Sequence, residues 1–147
     1  MKTDFLYLTW AELYQDSKKL AAAIRADHSS WSQIIAVSRG GLFPAAIIAK
    51  ELDVKYVDTV CISSYRHYEK KEMRIIKRID NDSENILVID DLVDTGETAE
   101  VIREMLPNAF YAVLYAKPEG LPLVDSYYKP VSPDTWVVFP WEEGSTP

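Results

Sequence analysis

The thirteen residues ILVIDDLVDTGET, Ile86 to Thr98, concentrate the groups that could handle a phosphorylated substrate. A short, wholly apolar run ends in adjacent carboxylates, Asp90 and Asp91, and in a parallel sheet ligands bind at the carboxyl ends of the strands. Asp94, Thr95, Gly96, Glu97 and Thr98 then pass into a helical pattern. Their backbone N–H groups and two hydroxyls can converge on a phosphate at the helix N-terminus. Acid beside a phosphate site implies a sugar phosphate together with a metal ion. A plainer alternative, in which the carboxylates cap a helix and solvate a turn, leaves the combination of three Asp with Thr-Gly-x-Thr unexplained.

The surrounding chain must supply strands and helices that hold this segment at a sheet edge. Thr9 and Glu12 have capping-box spacing, and Leu13, Leu20, Ala21 and Ile24 recur on one helical face. IIAVSRGGLFPAAIIAKEL reads as a strand ending at Val37, a small-residue turn from Ser38 to Gly41, and a helix to about Leu52. Strands are expected over Val57–Ile62 and Met73–Ile79. The polar SYRHYEKKE between them reads as a loop or a flexible hairpin tip, and Asp80–Asn85 as a turn. A helix over Thr98–Leu106 and a buried strand over Phe110–Ala116 follow. Beyond Lys117 the Pro-containing stretch looks irregular, with one short strand at TWVVF. Alternating strands and helices predict an α/β fold. The length of 147 residues predicts a single domain over 1–147.

The formal charge of −7 argues against nucleic acid or an anionic membrane surface as a main partner, since both select clustered Lys and Arg. An anionic small molecule would need local backbone amides, a few cations or a metal ion to overcome the overall repulsion. The lone Cys61, in the apolar-rich VDTVCISS, reads as a buried strand thiol, and no disulfide framework exists. No apolar stretch reaches the roughly 18 residues of a spanning helix, and the N-terminus lacks a secretory layout. The expected location is therefore cytoplasmic. His28 and His67 lie at no metal-ligand spacing and read as surface residues.

ILVIDDLVDTGET resembles, without a gap, the phosphoribosyl pyrophosphate signature of type I phosphoribosyltransferases. AVSRGGLFPA resembles the pyrophosphate loop of the same family. Glycines 40 and 41 would let backbone approach a diphosphate there, and Arg39 would add charge and planar donors. A Gly pair alone serves as a turn equally well. VDTVCISSY, AKPEG, PLVD and DTW then follow in the order of the purine enzymes of the family, so the resemblance covers nearly the whole chain.

The resemblance implies a mainly parallel central sheet flanked by helices, with a small irregular hood over the active site. It also implies Mg2+-dependent purine salvage. Guanine and xanthine, and hypoxanthine less well, would combine with phosphoribosyl pyrophosphate to give the nucleoside monophosphate and pyrophosphate.

Carried over by position, Ser38, Arg39, Gly40 and Lys71 would meet the donor's pyrophosphate. Asp90 and Asp91 would hold the ribose hydroxyls and the Mg2+ shell, with Asp91 as the metal ligand. Thr95, Gly96, Glu97 and Thr98 would grip the 5′-phosphate, and Asp94 would accept the purine proton. Ser64 and Tyr65 would open a mobile loop that closes over the donor. Lys117 would meet the 6-oxo group, Trp136 would stack on the base, and the backbone of Val137 would face its 2-substituent.

Read without the family, Lys117 is a strand-end cation and Trp136 core filler. Lys70, Lys71 and Arg66 are equally a solvated charged turn. A purine site specific for hypoxanthine and guanine, or a regulator that has lost catalysis, are the competing functions. The resemblance further implies a homotetramer, with the Arg39 loop near a subunit boundary, and leaves open a loose association with the inner membrane.

Overall fold

The computed structural model describes residues 3–28 and 30–142. A six-stranded sheet forms its centre. In chain order the elements are β1 (Asp4–Tyr7), α1 (Trp10–Asp27), β2 (Gln33–Ser38), α2 (Leu42–Leu52), β3 (Val57–His67) and β4 (Lys70–Lys77). There follow β5 (Ile86–Val93), α3 (Glu97–Met105), β6 (Phe110–Ala116), β7 (Ser126–Pro130) and β8 (Thr135–Val138). Short 3-10 turns occupy Leu121–Leu123 and Pro140–Glu142. The sheet runs β4-β3-β2-β5-β6-β7, parallel throughout except for the β3–β4 hairpin.

The central strands are apolar without interruption because both faces are covered. Along β5, Leu87 and Ile89 join the cluster built on α1 and α2, whereas Ile86 and Val88 join the cluster built on α3. β2 and β6 divide the same way: Ile34, Ala36, Ala112 and Leu114 face the first cluster, and Ile35, Val37, Tyr111 and Val113 the second. Period-two alternation therefore persists as a choice between two cores rather than between core and water. The α1 start agrees with the capping box: Thr9 accepts from the Glu12 N–H at 3.1 Å and the Glu12 carboxylate accepts from the Thr9 N–H at 3.2 Å.

Three expectations need correction. SYRHYEKKE is mostly strand: β3 continues to His67, β4 starts at Lys70, and only Tyr68 and Glu69 turn, with φ of 48° and 62°. A two-residue turn with both φ positive matches the twist of the flanking strands. The hairpin lies at the sheet edge with exposed side chains nearly throughout, so no apolar alternation marks it.

The region beyond Lys117 is also more regular than expected. β7 adds a parallel edge strand to β6, and β8 pairs in parallel with β1, from the opposite end of the sequence. Lastly, His28 is half-buried, with its ring 4.3 Å from that of Trp31, whereas His67 is exposed. Cys61 lies on β3 and is half-buried.

Candidate active site

Two strand-loop-helix units meet at the carboxyl edge of the sheet. β5 carries Asp90 and Asp91 there, with Asp90 only 8% exposed. Its Oδ1 accepts the Asp91 N–H at 2.8 Å, and its Oδ2 accepts the Tyr111 hydroxyl at 3.4 Å. Asp91 Oδ1 accepts the Leu92 N–H at 2.7 Å. Burial and the Asp91 charge push the Asp90 carboxyl well above the usual carboxylate range, and burial raises Asp91 as well. Burial, followed by these two carboxylates, likewise pushes the Tyr111 phenol far up, so it remains a donor.

Two adjacent carboxylates, one buried and one half-buried, are costly to ionise side by side, and a cation would offset that cost. Mg2+ keeps several waters and takes only one or two protein carboxylates alongside substrate oxygens, so this donor set fits it. Among the described residues no three His, Cys, Asp or Glu side chains converge on a common point, so the remaining ligands would come from solvent and substrate.

The β2–α2 turn faces this pair. A methyl group built on Gly40 would lie 2.1 Å from Asp91 Oδ2, so only glycine lets the turn approach the carboxylate this closely. The Ser38–Arg39 peptide is cis.

On the other side the chain leaves β5 through Asp94 and Thr95 and enters α3 at Gly96, whose φ of 95° favours glycine. No side chain caps α3, so the N–H groups of its first turn are left to an external acceptor. The β3–β4 hairpin reaches over this loop, with Lys71 Nζ 2.5 Å from Glu97 Oε2. Both side chains are more than two-fifths exposed, so the pair adds about 0–1 kcal/mol.

A cavity of about 350 Å3 lies between these segments. Ser38, Gly40, Lys71, Asp90, Asp91 and Asp94–Thr98 line it, which brings together most of the residues expected to meet the donor. Arg39 lines a neighbouring cleft with Gly40, Phe43, Asp91, Trp141 and Glu142. Burial, followed by the Asp91 charge, raises the Glu142 carboxyl. Ser64 and Tyr65 lie on β3 outside the cavity wall, and the Arg74 guanidinium lies 4.4 Å from the centre of the Tyr65 ring. The hairpin faces the cavity through Ile62 and Lys71 instead.

Lys117 follows β6 and is only 7% exposed. Its N–H donates to the Val93 carbonyl at 2.9 Å, which ties it to the end of β5. Its Nζ lies 3.4 Å from Asp94 Oδ2 and 3.5 Å from the Pro133 carbonyl. Trp136 stands on β8 opposite Phe5 of β1 and is 42% exposed, whereas Val137 is buried. Stacked rings tie the end of β8 to α2: Phe139 lies 4.6 Å from Trp141, and Trp141 lies 4.2 Å from Phe43.

Tyr111 and Ile62 were absent from the expected site. Tyr111 looks like strand core in FYAVLYA, as does Tyr115 on the same strand, and no local signal singles it out.

A parallel sheet with a paired-carboxylate strand end, an open helix N-terminus and a facing glycine turn defines a phosphoribosyl-transferring fold. The chain belongs to the family of phosphoribosyl transferase domains, whose family model matches residues 7–146. It is 52% identical over 139 residues to a xanthine-guanine phosphoribosyltransferase of Desulfotalea psychrophila, covering 94% of this chain and 86% of that protein. The crystal structure of a purine phosphoribosyltransferase from Pyrococcus horikoshii superposes with a TM-score of 0.82, at 30% identity and with 98% of each chain covered. The fold is shared with the xanthine-guanine-hypoxanthine phosphoribosyltransferase of Helicobacter pylori, at TM-score 0.79 and 23% identity, with 95% of this chain and 94% of that one covered. No helix among the described residues is long and apolar enough to cross a membrane.

Proposed function

We propose that this enzyme transfers the phosphoribosyl group of phosphoribosyl pyrophosphate to guanine and xanthine, and less readily to hypoxanthine. The observation that carries the reading is the contact between buried Lys117 and Asp94, directly beside the phosphate loop. A cationic donor and a carboxylate acceptor 3.4 Å apart suit the edge of a 6-oxopurine, whose carbonyl accepts and whose imidazole N–H donates. The 52% identity to a protein named for xanthine and guanine supports the same bases.

In the proposed reaction the bond from the ribose anomeric carbon to pyrophosphate breaks, a bond to the purine imidazole nitrogen forms, and the purine proton passes to Asp94. The α3 N-terminus, with Thr95–Thr98, holds the 5′-phosphate. Glu97 serves there through its N–H, since its carboxylate is engaged by Lys71. Ser38, Arg39, Gly40 and Lys71 receive the leaving pyrophosphate. Asp90 and Asp91 orient the ribose hydroxyls, and Asp91 would hold a Mg2+ ion, which would supply charge neutralisation to the leaving group. Trp136, from β8, stacks on the base, and the Val137 backbone meets its 2-substituent.

Closure of the Ser64–Tyr65 hairpin excludes water from the activated ribosyl group. We also keep a homotetramer, implied by the resemblance, and the expected cytoplasmic location. Light scattering and cell fractionation test these two.

Pyrophosphate release measured with guanine, xanthine, hypoxanthine and adenine in turn tests the central reading. Turnover with the first two, less with the third and far less with adenine is expected. Equal use of adenine, or no turnover with any base, contradicts it.

A further inference from the structure

Asp90 does not stand alone at the end of β5. Tyr111 sits on the neighbouring strand β6, on the same α3-facing side of the sheet, and is 1% exposed. Its N–H donates to Asp125 Oδ2 at 2.8 Å. Arg103, projecting from α3, donates to that same carboxylate at 2.6 Å and to the Leu123 and Ala109 carbonyls at 2.9 and 2.8 Å. The Arg103 guanidinium lies 5.6 Å from the centre of the Tyr111 ring. Backbone and ring are therefore both pinned, and the hydroxyl is aimed at Asp90 Oδ2, 3.4 Å away, at the wall of the cavity.

The packing of this core does not call for the oxygen. A phenylalanine would fill the same volume among Val88, Val113 and Ile102, at no desolvation cost, whereas a buried hydroxyl must find a partner. The partner it finds is a carboxylate of the cleft. The other oxygen of that carboxylate is already held by the Asp91 N–H, so the tyrosine removes the remaining rotational freedom of the Asp90 head.

We propose that Tyr111 is a positioning residue for the donor site, its hydroxyl fixing the Asp90 carboxylate in the orientation that receives the ribose hydroxyls. The inference rests on the assignment of Asp90 to the ribose in the reading above. Each carboxylate oxygen keeps a second lone pair after accepting one hydrogen bond, so both remain able to bind substrate while held. The hydroxyl acts on the donor half of the reaction only. It bonds to Asp90, whereas Lys117 and Asp94 of the base side bond to each other.

Steady-state kinetics of Tyr111→Phe with phosphoribosyl pyrophosphate and guanine tests this, alongside wild type and Val113→Ala, which loosens the same core without touching a polar group. Loss of one long hydrogen bond to a carboxylate should raise the KM for the donor about 3–10-fold. The KM for guanine and kcat should stay within about twofold, and Tm should hold because the side chains are nearly isosteric. Val113→Ala should lower Tm without that selective rise. An unchanged donor KM in Tyr111→Phe overturns the proposal. So does a rise matched by the guanine KM, or one reproduced by Val113→Ala, because either marks Tyr111 as packing alone. Wild-type protein that shows no donor-dependent turnover would instead sink the reading of the cleft itself, which separates the two failures.

Discussion

The donor half and the base half of the cleft are built in opposite ways. The donor half is mostly local: apart from Lys71 of the β3–β4 hairpin, it consists of Asp90 to Thr98 and Ser38 to Gly41, two short strand-to-helix segments held by glycines and by hydrogen bonds between adjacent residues at the end of β5. The base half is assembled from distant pieces. Lys117 comes from the end of β6, Asp94 from the loop after β5, and Trp136 from a strand that pairs with β1. Phosphate binding can be specified by a dozen consecutive residues, because backbone N–H groups and a helix end supply most of the ligands. Recognition of a planar base needs side chains above it and at its edges, which one loop cannot offer. Substitutions in the donor half should therefore affect every base alike, and those in the base half should discriminate among bases.

The largest effect is expected from Asp90→Asn/Asp91→Asn, which should abolish turnover with all bases in the presence of Mg2+. The same variant should be more heat-stable than wild type in chelator. The sign follows from the raised carboxyls: the folded state holds protons that the unfolded state releases. Metal-free wild type should therefore lose stability as pH rises from the ordinary carboxylate range through the folded values, and the double amide should not. Thermal melts across pH, read with and without Mg2+, check both halves. Wild-type turnover in the variant would remove these residues from the metal and ribose site.

Next in size, Asp94→Asn should lower kcat by about 10²–10⁴-fold, the usual contribution of a positioned general base. Lys117→Met should lower the specificity constants for guanine and xanthine by about 10–200-fold, equivalent to about 1.5–3 kcal/mol for a charge-assisted hydrogen bond. Adenine, which presents an amino group where these bases present a carbonyl, should lose nothing comparable, so the guanine-to-adenine ratio should fall. An unchanged ratio would show that the selector lies elsewhere.

Trp136→Ala should have the smallest effect of the series, about 2–10-fold in KM and equal for all bases, as lost stacking predicts. Unequal losses would give Trp136 a selective role and blur the contrast between the halves.

The same contrast explains what the sequence disclosed. β2, β5 and β6 were legible as apolar runs, and both turns as motifs, because their determinants are contiguous. The β3–β4 hairpin was legible as two strands around a tip, but not its extent to His67 and from Lys70, since both faces there are solvated and its turn residues, Tyr68 and Glu69, are not the usual Asn-Gly. β8 was legible as the short strand at TWVVF, whereas β1, whose partner β8 lies at the other end of the sequence, and β7, a five-residue edge strand that includes Pro130, were not. Ser64 and Tyr65 proved to be strand residues outside the cavity wall rather than part of a loop. Within the site, the Lys117–Asp94 contact and the Tyr111–Asp90 hydrogen bond span 23 and 21 residues, and no local pattern encodes either.

The division of labour is tested most directly at Asp94, where the halves join. Calorimetric titration of phosphoribosyl pyrophosphate into Asp94→Asn and wild type, in Mg2+, separates donor binding from chemistry. Donor affinity within about twofold of wild type, alongside the loss of turnover, is the predicted result. A donor affinity that falls as far as turnover would make Asp94 part of the phosphate loop, and the proposed boundary between the two halves would be wrong.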